Sequence, residues 1–129
     1  MFLLQFGLII FKNLNPSEGF MITLLYVPCA NIDEATAIGR RLVEEKLVAC
    51  ANAFPATSMF WWQQRIYQGC EGILILKTTS ALAKTVEKRI RKLHSYNLPA
   101  ILKFRVEANK DFEAWVKEST KRSTEKRKH

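Results

Sequence analysis

The chain has 129 residues and a mass of 14.9 kDa, enough for one modest domain and too little for two independent ones, a barrel or a large cofactor fold. Lys and Arg number 20 against 12 Asp and Glu, a formal charge of +8, yet 48% of the residues are apolar, which argues for a folded core and against a disordered basic arm. Cys29, Cys50 and Cys70 form an odd set without a C-x-x-C pair, so neither a disulfide framework nor a zinc finger fits.

The opening MFLLQFGLIIF is uncharged and too short to span a bilayer, and no positive region precedes it as in a signal peptide. Met21 stands at the front of the next apolar run. Residues 1–20 therefore read as an upstream extension, with an ordered extra strand or an interfacial segment as the alternatives. Met21 to Val27 has apolar residues on both faces, the pattern of a central strand, and Pro28 is expected to end it. Asp33 and Glu34 then open a helical stripe of Ala35, Ile38, Leu42 and Leu47, where early acids complement the helix dipole.

Val48 through Trp62 reads as a strand, with Pro55 marking a bulge, an edge or a bend. Gln63 and Gln64 fall at the turn. Arg65 to Thr78 returns, interrupted at Gly69, so a long antiparallel hairpin is expected. Thr79 or Ser80 can cap a second helix with the stripe Leu82, Val86, Ile90, Leu93 and an outer face of Lys84, Lys88, Arg91 and Lys92. After Pro99, Leu102, Phe104 and Val106 alternate with Lys103, Arg105 and Glu107 as a half-buried strand. A last helix from Asp111 to Ser119 is expected to present Phe112 and Trp115 to the body. Residues 121–129 form a basic tail that frays into solvent.

The order is βαββαβ with an added C-terminal helix, an α+β split β-α-β arrangement around one antiparallel sheet. Both principal helices cover the same face. Phe60, Trp61 and Trp62 cannot all be buried by helices on one side, so a partner subunit is expected on the other.

Four segments carry a family resemblance: DEATA at 33–37 with LVEEKLVACAN at 42–52, SMFWW at 58–62, EGILILKT at 71–78 and HSYNLP at 94–99. Together they resemble the CutA family, small proteins linked to divalent-cation tolerance, over residues 21–120. The resemblance implies a ferredoxin-like sandwich assembled as a homotrimer, copper or another divalent cation as ligand, and no catalytic reaction. The chain departs from the family pattern at Phe60 (usually tyrosine), Gln64 (glycine), Ser95 (proline) and Ala100 (glutamate), and has Leu93 where some members carry a second histidine.

Cys29 and His94 are the candidate metal ligands, a thiolate and an imidazole suited to copper or zinc; an inert packed thiol and a helix-end histidine are the competing roles. Glu71, Lys77, Tyr96 and Trp62 are expected to line an intersubunit cleft, with Phe60 and Trp61 in the interface and Glu71 accepting from Lys77 or Tyr96. Cys50 is expected in the core and Cys70 as an exposed thiol. No H-E-x-x-H, G-x-S-x-G or P-loop motif occurs, so standard hydrolase and nucleotide machinery is missing. The basic groups of the second helix and tail could serve nucleic acid, but no recognition motif accompanies them, and no specific nucleic acid is expected. The expectation is a cytoplasmic homotrimer without a membrane span that responds to divalent metal ions. The runner-up is a structural or signalling trimer binding a metabolite or partner protein at its clefts.

Overall fold

A computed structural model describes residues 20–122. The expected N-terminal extension, but for Phe20, and all but Lys121 and Arg122 of the expected tail lie outside the described residues. The elements are β1 (Met21–Cys29), α1 (Ile32–Glu44), β2 (Cys50–Trp62), β3 (Arg65–Thr78), α2 (Ala83–Leu93), β4 (Leu102–Glu107) and α3 (Lys110–Ser119). The strands form one antiparallel sheet in the order β2-β3-β1-β4. This is the α+β, ferredoxin-like βαββαβ arrangement with a long β2-β3 hairpin and an extra C-terminal helix.

Alternation along the strands separates two faces. Leu25, Val27, Leu74 and Leu76 meet Ile38 and Leu42 of α1 and Val86 and Ile90 of α2 in one closed core. α3 packs on the opposite face, where Val116 is buried and the Lys77 ammonium lies 6.0 Å from the Phe112 ring centroid. Contrary to expectation, Trp115 stays 47% exposed: Val116, one position on, takes the inward direction of that turn. Leu102 and Phe104 of β4 also remain about half exposed (49% and 50%), because α3 does not extend over them.

Several boundaries differ from the sequence reading. Pro28 does not end β1, and it pairs opposite Ile73. The β4 ladder stops at Tyr26, so beyond it β1 has a neighbour on one side only and tolerates a residue without an N–H. α1 ends before Leu47. Lys46 adopts φ 59°, its amide donates to Val43 and that of Leu47 to Leu42, a Schellman closure that still returns Leu47 to the core. Neither Thr79 nor Ser80 is the N-cap of α2. Thr79 Oγ1 accepts from the Leu82 amide one turn earlier, and the Ser80 hydroxyl pairs with Thr23 at 2.9 Å.

The hairpin register is unbroken from Cys50↔Lys77 to Trp62↔Arg65, so Gly69 causes no interruption and Pro55 makes no bulge. Pro55 is accommodated because β2 is an edge strand. Gln63 and Gln64 both take positive φ, 52° and 64°, the backbone of a type I′ turn. Past Gly72 the ribbon outruns β1, and residues 56–71 pair only with one another. Its side chains are open, with Trp61 71% and Trp62 60% exposed.

Candidate metal centre and the adjoining cleft

The end of β1 and the end of α2 converge on one point. Cys29 is the last residue of β1 and fully buried; His94 follows α2 and is nearly so. Between them stands Glu34, in the first turn of α1. Donor atoms of Cys29, Glu34 and His94 all lie within 4.8 Å of one another, so the two sequence candidates do meet.

Sequence alone marks Glu34 only as an acid favouring the helix dipole. Its placement follows from an N-terminal capping arrangement: the Asn31 side chain accepts from the Glu34 amide at 2.8 Å, while Glu34 Oε1 reaches back to the Ala30 amide at 2.9 Å. The signal was present as Asn31-x-x-Glu34. The second carboxylate oxygen accepts from the Ser95 amide at 3.0 Å and so holds the loop after α2. Burial alone would raise this carboxyl's pKa, but the amides of Ala30 and Ser95 outweigh it and hold the pKa below the usual range.

His94 is held at both ring nitrogens. Nδ1 accepts from the Tyr96 amide at 3.0 Å, which leaves Nε2 protonated and donating to the Pro28 carbonyl at 2.8 Å. The Cys29 thiol donates to the Val27 carbonyl at 3.6 Å. Burial pushes this thiol up to about 12, with the Glu34 and Glu71 carboxylates adding to the shift. Sulfur, nitrogen and oxygen donors at this spacing fit a borderline or soft cation. Each is already engaged, however, and the thiol must lose its proton before it can ligate.

A cleft of about 620 Å³ adjoins the cluster, lined by Pro28, Phe60, Trp62, Tyr67, Glu71, Tyr96 and Leu98 among others. The Tyr96 hydroxyl donates to Glu71 at 3.0 Å, and its ring lies 4.7 Å from that of His94, so cleft and donor cluster share a wall. Burial, then this bond, raises the Tyr96 phenol to about 12. Phe60 stacks on Tyr67 at 6.1 Å.

Thus Phe60, Trp62, Glu71 and Tyr96 line the cleft within one chain, while Trp61, expected in the interface, and Lys77, expected in an intersubunit cleft, stand apart from it. Trp61 points to the other face of the ribbon, by strand alternation. Lys77 lies six residues from Glu71 along β3, about 20 Å away, and instead donates to Asn52 Oδ1 at 3.0 Å and contacts Cys50 Sγ at 3.6 Å. That same contact places Cys50 at a half-exposed polar edge, not in the core, while Cys70 is exposed as expected. Ala100 borders the cleft. No helix among the described residues is long and apolar enough to cross a membrane.

The fold and its donor cluster define a small ferredoxin-like α+β protein with a candidate cation site between a strand end and two helix ends. A family model described as CutA1 divalent ion tolerance protein matches residues 23–119, and the chain belongs to that family. The divalent-cation tolerance protein CutA of Thermotoga maritima is 40% identical over 97 residues, covering 74% of this chain and 96% of the relative. That of Archaeoglobus fulgidus is 36% identical over 100 residues, covering 77% and 98%. The crystal structure of divalent ion tolerance protein CutA1 from Ehrlichia chaffeensis superposes with a TM-score of 0.76 at 37% identity, covering 78% of this chain and 96% of that one.

Proposed function

We propose that this chain is a cytoplasmic, homotrimeric divalent-cation tolerance protein that binds copper or a similar cation weakly at Cys29, Glu34 and His94. The observation that carries the metal reading is the convergence of thiol, carboxylate and imidazole within 4.8 Å, beside an open cleft. Weak binding follows from the bonds that a cation must displace: the thiol proton, and a backbone partner of the His94 ring. The assembly is supported by the exposed aromatic hairpin and by the half-exposed Leu102 and Phe104 on the sheet face away from α1 and α2. Three free thiols suit a reducing compartment.

Native mass measurement tests the assembly; a monomer at micromolar concentration would refute it. Titration of the reduced protein with Cu(I), Cu(II) and Zn(II), repeated on C29A and H94A, tests the site. Affinity should fall in both variants, and unchanged affinity and stoichiometry would sink it. A second reading is favoured by the hydrogen-bonded Glu71–Tyr96 pair in the cleft: a trimer binding a small metabolite or partner there without a physiological metal. It would be supported if metal binding is absent while a cleft ligand is protected from release by Glu71 and Tyr96.

A further inference from the structure

Away from the sheet, α2 faces outward and forms a second depression with the turn after α1 and the chain after α3. This cleft, about 280 Å³, is lined by Glu45, Leu47, Thr85, Lys88, Arg89, Lys92 and Arg122. Among the described residues, four basic side chains and one carboxylate line it. That carboxylate is already committed: Arg89 Nε and Nη2 bond its two oxygens at 2.8 and 2.7 Å, and Arg41 Nε bonds one at 3.0 Å.

Two consequences follow. Glu45 fixes the Arg89 guanidinium while using two of its five N–H donors, so a pre-oriented fork remains for another acceptor. Lys88 and Lys92, one helical turn apart on the same side, make no ion pair among the described residues. Arg91 differs, since it is paired with Glu87 at 3.4 Å. The ammonium groups of Lys88 and Lys92 are therefore not neutralised among the described residues, and Thr85 lies at the edge of the cleft.

We propose that this cleft binds a small polyphosphate anion, with Lys88, Lys92 and Arg89 contacting successive phosphoryl groups. Its size suits a chain of two or three phosphates, and its donors come from side chains of the guanidinium and ammonium type that recognise phosphate. The linked phosphates could be inorganic or those of a nucleotide; the chemistry at the cleft is the same. The site is separate from the Cys29–Glu34–His94 cluster and does not depend on the metal reading.

The test is calorimetric titration of the full chain with inorganic triphosphate, ATP and AMP. Triphosphate should bind, AMP at least tenfold more weakly, and raising salt from 50 to 200 mM should weaken binding about threefold or more. K88A/K92A, checked for native circular dichroism, should weaken triphosphate at least about tenfold. K126A/R127A/K128A in the basic tail should change it less than twofold. ATP equal to triphosphate assigns recognition to the phosphates, and ATP tighter by tenfold extends it to a nucleotide. Retained affinity in K88A/K92A, loss in the tail variant, or no triphosphate binding at 50 mM salt overturns the proposal. So does a single-stranded oligonucleotide that binds and is not displaced by triphosphate.

Discussion

Gly72→Ala is the substitution that most directly tests how the donor cluster is built. Gly72 pairs opposite Cys29, and the N-terminus of α1 lies directly over it. A Cβ at this position would stand 2.3 Å from the Asn31 carbonyl oxygen, 2.5 Å from its carbon and 2.8 Å from Ile32 Cα. All three are backbone atoms, so no rotamer change relieves the contact, and the helix start must move by about 1 Å. Overpacking of this kind costs about 1–3 kcal/mol and here belongs at the upper end. For a domain of about 100 residues that lowers Tm by on the order of 15 °C. Gly69, three residues away on the same strand, is the control, since a Cβ there meets nothing within 4 Å. Gly69→Ala should be neutral or stabilising by about 0.5 kcal/mol. Thermal denaturation at equal protein concentration compares the two, since the proposed assembly would make Tm concentration-dependent. A Gly72→Ala protein melting within about 2 °C of wild type, or a Gly69→Ala loss of equal size, would refute the packing argument.

Three further outcomes are expected. Hydrogen bonds from Arg89, against the opposing effect of burial and with help from Arg41, hold the Glu45 carboxyl at about 2, below its unfolded value. Its stabilisation is thus present above the unfolded pKa and lost as pH falls through the folded one; E45Q should be less stable than wild type at pH 7, and the gap should narrow from pH 4.5 to 2 in urea melts, a constant gap contradicting this. Cys29, buried and with its thiol raised to about 12, should resist an anionic thiol reagent at pH 8 in the native protein and react once urea unfolds it; mass spectrometry of the labelled sites would expose early native labelling as a contradiction. Q63N/Q64G should stabilise the hairpin by about 1 kcal/mol, because Asn-Gly accepts the two positive φ values more readily than two glutamines, and a lower Tm would count against the type I′ assignment.

The legibility of the chain followed the physics of each segment. The hairpin and the two stripes of α1 and α2 could be read because period-2 and period-3.6 patterns report which face is buried. Pro28 misled because the cost of a missing N–H depends on whether β4 reaches that far, a property of the sheet and not of the dipeptide. Cys29 and His94 could be named as candidates, but not their shared partner. Glu34 joins them through a helix cap whose two ends are local and whose third contact, to Ser95, spans sixty-one positions. Lys77 and Glu71 share a face of β3 by alternation, yet six residues along a strand keep them apart within one chain, a distance the pattern of residue types does not register.

In the proposed assembly, the outer hairpin ties folding to protein concentration. Each strand of residues 56–71 projects about 25 Å past the last ladder with β1, with its twin as sole ladder partner and the Tyr96–Glu71 bond at its base. A lone two-stranded ribbon is barely stable in water. In the proposed trimer, dilution should therefore act on it as warming does: were copies to separate, the tryptophan arm would loosen first, while the closed core behind Gly72 endures. In that assembly, abundance as well as temperature would set how much of the chain is folded at any moment.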